Sequence, residues 1–209
     1  MDLVEIAWRF GLLVPAIVIH EVSHGLAAYA LGDSTAKDKG RLSLNPIRHI
    51  DLWGTILMPL LMVAVLGVGF GYAKPVPINP YRFKDYRQGM FLTGIAGPAS
   101  NLLLAVLSGL LFRAVDGAGL LGLSLYYFAL MNLVLMFFNL IPLPPLDGSR
   151  VLPLFLSDRA MQTYDSIERY GFLIILAALW LLPSYLGVDP LGWYFDATVY
   201  PLLGLFTGV

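Results

Sequence analysis

Five stretches of this chain, residues 3–31, 89–113, 122–142, 169–186 and 190–208, are almost wholly apolar. Each is close to the roughly 20 residues that a helix needs to cross a bilayer. Inside lipid every backbone N–H and C=O must be satisfied within the protein, so only helices and closed barrels span. The runs are continuous rather than alternating, so they read as helices. A sixth run, 52–71, is less regular: it holds Pro59, Gly67, Gly69 and Gly71 and leads into the proline-rich YAKPVPINPYRF. The expected fold is an all-α polytopic membrane protein. It has about five to six transmembrane helices, a re-entrant segment, and short β-strands near the active site.

Composition agrees, since 58% of the 209 residues are hydrophobic and only 13% charged, about half the charge of a soluble domain. The net charge of −1 speaks against a nucleic-acid partner. The absence of cysteine excludes disulfides and thiolate metal sites. The opening MDLVEIAWRF carries Asp2 and Glu5 before any base. It lacks the basic start of a secretory signal, so the first helix is expected to be retained.

Eleven of the thirteen bases fall in segments 32–51, 72–88 and 143–169. Basic loops stay in the cytoplasm, so all three segments are expected on one side. A simple crossing by 52–71 would put the first two on opposite sides. Twenty residues are too few for two helical spans, so 52–71 is expected to dip in and return.

Within the first run lies HEVSH, residues 20–24. His20 and His24 are four apart and lie above one another on a helix. H-E-x-x-H is a zinc pattern in which the glutamate serves as general base. Ionisable groups at this depth are expensive and mark function. The bland alternative is a polar trio satisfied by neighbouring helices. A catalytic zinc needs a third protein ligand. By position, His49 in the basic loop competes with Asp147, which follows the prolines of NLIPLPPLDGSRVL. On spacing alone, Asp147 reads equally well as a turn residue.

These residues resemble the site-2 protease family of intramembrane zinc metalloproteases, in its compact prokaryotic branch. HEVSH at 20–24 matches its zinc motif, and NLIPLPPLDG at 139–148 matches N-x-x-P-x-P-P-x-D-G. GIAGPASNLLLA at 94–105 is similar to its third core segment, and GRLSLNPIRHIDLWGT and FGYAKPVPINP also fit. The resemblance implies one Zn²⁺ held by His20, His24 and Asp147, with Glu21 as the catalytic carboxylate, and it demotes His49. It implies a transmembrane protein substrate, cut within the lipid bilayer near the cytoplasmic side, and residues 1–209 as a single transmembrane protease domain. The PDZ and CBS domains of some relatives have no counterpart in the sequence. Asn139 is a candidate oxyanion donor, while Asn101, among small residues, is assigned to helix packing. LSLNP at 42–46 and PVPIN at 75–79 read as short strands whose edges could receive an unwound substrate. Two alternatives remain open, a catalytically silent zinc-binding membrane protein and a metal transporter. The sequence sets no oligomeric state.

Overall fold

The computed structural model describes residues 3–51, 54, 57, 74–168 and 170–209. The re-entrant reading of 52–71 lies outside the described residues, apart from Gly54 and Leu57. Among the described residues, six helices carry the fold: α1 (Leu3–Ala30), α2 (Tyr86–Ala114), α3 (Gly119–Leu140), α4 (Asp158–Glu168), α5 (Gly171–Leu186) and α6 (Pro190–Thr207). Helices α1, α2 and α3 are long and apolar enough to cross a membrane. Helices α5 and α6 pass together, but they meet at a bend of 116° and count at most as one broken span. The described residues thus hold three or four spans.

Local chemistry sets the boundaries. Helix α2 starts three residues before the apolar run because Asp85 caps it, accepting from the Gln88 N–H at 2.8 Å. Helix α3 stops at Leu140, just before Pro142. Proline cannot donate a helical hydrogen bond, and it biases the residue before it away from helix. Asp189 caps α6 through the Gly192 N–H. The second half of α5, Ala177–Leu186, winds as a π-helix around Pro183.

Helices α2, α3 and α6 meet around Ala105, Ala129, Leu133, Met136, Val199 and Leu203. Leu103, Leu107, Leu110 and Leu111 on α2 face outward. For a spanning helix that is the lipid side.

The helix order answers the charge puzzle without residues 52–73. Trp8 of α1 bonds Ser124 near the start of α3, while Ala16 and His24 of α1 meet Asn101 and Thr93 of α2. Helix α1 therefore runs parallel to α3 and antiparallel to α2. The chain after α1 and the chain before α2 lie together. The buried Asp33 carboxylate accepts from the Asn79 N–H at 2.6 Å and from the Thr35 N–H at 3.0 Å, and Arg82 lies 3.7 Å away. Burial pushes the Asp33 carboxyl up, but these donors and the Arg82 guanidinium outweigh it and hold it below the ordinary carboxylate range. Arg87 of α2 donates to the Leu156 carbonyl, which brings the third basic segment to the same side.

No strand forms among the described residues. LSLNP runs into a 3₁₀ turn, Pro46–His49, capped by Asn45. PVPIN is extended but has no ladder. Pro75 and Pro77 remove alternate donors. The N–H groups of Val76 and Asn79 go to the side chains of Glu21 and Asp33.

Candidate metal centre

Helix α1 carries His20 and His24 on one face, their ring centroids 4.6 Å apart and nearly perpendicular. They sit ten and six residues before Ala30, or about 9–15 Å from that end of the helix at ~1.5 Å per residue. After α3 ends, a turn bonded from Leu146 N to the Leu143 carbonyl brings Asp147 back over α1. Asp147 precedes the short helical turn Gly148–Val151 but makes no capping bond to it. Its carboxylate points at the imidazoles instead. Asp147 Oδ2 is 3.0 Å from Nε2 of both His20 and His24, and the two Nε2 atoms are 3.0 Å apart. All three side chains are buried. Among the described residues they form the group able to share one metal ion.

The proton positions test that reading. His24 Nδ1 lies 2.6 Å from the Thr93 carbonyl, which can only accept. His24 therefore donates from Nδ1 and presents a lone pair at Nε2. His20 Nδ1 faces the Asn101 side-chain oxygen at 2.5 Å and donates in the same way. Two imidazole lone pairs and a carboxylate oxygen then converge with no proton of their own between them. Such a triangle repels itself unless a cation sits against it. Zinc takes histidine nitrogen and carboxylate oxygen at about 2.0–2.2 Å, and the side of the triangle suits bonds of that length. The donor set fits zinc.

Around the triad is a cavity of about 390 Å³, walled by Ile17, Leu135, Phe138 and Phe172 and lined by Glu21, Asn139 and Arg150. Glu21 is outside the triad; its Oε2 accepts from the Val76 N–H at 2.9 Å. Arg150 Nη1 approaches Asp147 Oδ1 at 3.4 Å, on the oxygen turned away from the histidines. Asn139 turns one amide hydrogen back to the Leu135 carbonyl at 2.9 Å. His49 is buried elsewhere, with Nε2 on the Ser43 carbonyl.

Sequence reasoning missed the contribution of α2. A Cβ added to Gly97 would lie 2.7 Å from His20 Nε2 and nearer still to His24 Nε2, and one added to Gly94 would lie 3.2 Å from the Asp147 carbonyl. The small-residue run GIAGPAS was the available signal, and it reads equally as close helix packing. Asn101, assigned to packing, does bond between helices, but its oxygen is also the partner of His20.

Residues 117–182 match the family described as Peptidase family M50. The Bacillus subtilis protein named "Putative zinc metalloprotease YwhC" is 38% identical over 200 residues, which span 91% of this chain and 83% of that protein. The chain belongs to peptidase family M50. Two mycobacterial relatives carry the name "Putative zinc metalloprotease Rip2". The one from Mycolicibacterium smegmatis is 30% identical over 78% of this chain and 63% of its own length. The one from Mycobacterium tuberculosis H37Rv is 29% identical over 93% of this chain and 72% of its own length. No solved structure matches. This M50 chain is therefore a zinc metalloprotease, and its apolar helices make it an integral membrane protein.

Proposed function

We propose that this M50 protease hydrolyses peptide bonds inside the transmembrane segments of other membrane proteins. Residues 1–209 act as one protease domain, and His20, His24 and Asp147 hold the zinc. The observation that carries the reading is the depth of the triad. Three unprotonated ligand atoms converge about 9–15 Å from the end of an apolar helix, beside a cavity walled mostly by apolar side chains.

When bound, zinc polarises the scissile carbonyl and lowers the pKa of water to about 7. Glu21 takes the proton of the attacking water and delivers it to the leaving nitrogen. The Val76 N–H holds Oε2, leaving Oε1 for that transfer. Asn139 supplies an amide donor to the developing oxyanion. A helical substrate hides its carbonyls in its own hydrogen bonds, so it must unwind locally. The extended segment 74–79, with Pro75 and Val76 on the cavity wall, is the surface it would lie along.

The test is cleavage by zinc-loaded protein in proteoliposomes. A single-span peptide is expected to be cut within its apolar stretch, while the same scissile sequence in a short soluble peptide is expected to be left intact. Cleavage of the soluble peptide alone would overturn the substrate assignment, and no cleavage of either would overturn the catalytic one.

The active site faces the cytoplasm of a prokaryotic inner membrane in this reading, with the basic segments 32–51 and 72–88 on that side. Single cysteines at Lys37 and Lys84, both exposed, are then expected to be labelled from the same face of sealed vesicles. Labelling from opposite faces would reject the shared side of these two segments.

A further inference from the structure

We propose that Asn132 and Asn101 are positioning residues that hold His20 in the one tautomer able to ligate zinc. The inference rests on His20 being a ligand, as in the reading above.

Asn132 on α3 and Asn101 on α2 are fully buried. The Asn132 amide nitrogen lies 2.8 Å from the Phe128 carbonyl. A backbone carbonyl only accepts, so the NH₂ end of Asn132 must face it. That turns Asn132 Oδ1 towards Asn101, whose Nδ2 donates to it at 2.8 Å. The same Asn101 nitrogen is 3.5 Å from the Ala16 carbonyl, a second group that only accepts. Asn101 Oδ1 is thereby left facing His20 Nδ1 at 2.5 Å.

The chain of bonds runs one way. It starts at a carbonyl that cannot reverse and ends on His20 Nδ1, which must carry the hydrogen. Nε2 is left with its lone pair, aimed at Asp147 and His24. Turning Asn132 over would oppose its oxygen to the Phe128 carbonyl and its NH₂ to that of Asn101, and turning Asn101 over would oppose its oxygen to Asn132 Oδ1 and to the Ala16 carbonyl. The Thr93 backbone carbonyl fixes His24 in one step; at His20 Nδ1 the acceptor is the Asn101 side-chain oxygen, and the two amides carry the same instruction from α3 across α2 to α1.

Partners of a ligating imidazole's second nitrogen set its tautomer and orientation, and their loss costs roughly 10–100-fold in metal affinity. The distinctive claim concerns Asn132, which touches no ligand yet governs one through Asn101. Buried asparagines that only tie helices together would change thermal stability with no selective effect on zinc.

The experiment measures zinc affinity by competition with a chromophoric chelator, together with the visible spectrum of the cobalt-substituted protein and the melting temperature of the metal-free protein. Asn101→Leu is expected to weaken zinc binding by about 10–100-fold, and Asn132→Leu by about tenfold with an altered cobalt spectrum. Asn101→Asp keeps an acceptor opposite His20 and is expected to stay within about threefold of the parent. A merely structural role predicts the reverse for that variant, because it buries a charge and opposes Asn132 Oδ1. If a leucine variant does not fold, Asn101→Asp and Asn132→Ala carry the comparison. Parent-like zinc affinity in the Asn132 variants, or an Asn101→Asp protein as weak as Asn101→Leu, overturns the inference. A parent protein that binds no zinc overturns the ligand assignment itself, a result distinguishable from either.

Discussion

Glu21→Gln is expected to keep one zinc per chain and to lose cleavage by about 10²–10⁴-fold, the usual worth of a positioned general base. The expectation follows from where Glu21 stands. It lines the same cavity as the triad, but the three converging ligand atoms belong to His20, His24 and Asp147. Glutamine has nearly the same volume and can still accept from the Val76 N–H through its amide oxygen, so segment 74–79 keeps its anchor. What is lost is the ability to take a proton. The contrast with Asp147→Ala makes the result diagnostic, since that change removes a ligand and should remove zinc and cleavage together. Metal analysis of the purified variant and cleavage of the single-span peptide are the two measurements. Retained cleavage by Glu21→Gln would remove Glu21 from the chemistry. Lost zinc would make it a ligand instead of a base.

The parts of this site that announce themselves in the sequence are the ones made of ionisable side chains. His20, Glu21 and His24 are conspicuous because residues 10–31 otherwise carry no charge, and their spacing carries the helical geometry with it. Asp147 was weaker by position alone, because a carboxylate after three prolines is also an ordinary turn residue. Only the turn that folds it back over α1 distinguishes the two, and that turn is a tertiary fact. The contribution of α2 was almost silent. A backbone carbonyl at Thr93 has no sequence signature, and a glycine reports that something comes close without saying what. Asn101 reads as helix glue until its oxygen is seen opposite His20.

The extended segments show the opposite error. LSLNP and PVPIN carry strand-like composition, but LSLNP runs into a 3₁₀ turn capped by Asn45, and Pro75 and Pro77 delete donors that a ladder through PVPIN would need. Side-chain carboxylates from α1 and the following loop then capture the N–H groups of Val76 and Asn79. The apolar runs place the ends of the long helices to within three residues. The match held at α5 too, although Pro183 sits inside a π-helical stretch there and the chain turns sharply into α6.

Gly97→Ala should be nearly as damaging to the metal centre as removing a ligand, although it adds a single carbon. The new Cβ would stand 2.7 Å from His20 Nε2 and closer to His24 Nε2, inside the space that the ligand atoms need. Such a clash is mild when a flexible side chain can swing away. Here neither ring is free to do so, because His20 is held through Nδ1 by Asn101 and His24 by the Thr93 carbonyl. The helix itself prefers the change, since alanine is better than glycine in a helix interior by about 1 kcal/mol. The strain must therefore appear as separation of α2 from α1 or as displacement of the imidazoles, at a cost of about 1–3 kcal/mol for overpacking. Either outcome spoils the convergence on Asp147. Zinc affinity is expected to fall by about 100-fold or more, at the upper end of what disturbed ligand support costs, and cleavage should fall with it. Gly11→Ala is the control on α1, because a Cβ there meets nothing within 4 Å, and it should leave both properties unchanged. If Gly97→Ala binds zinc and cleaves like the parent, α2 does not press on the histidines as the structure places it, and the close approach of the two helices at the metal centre would have to be given up.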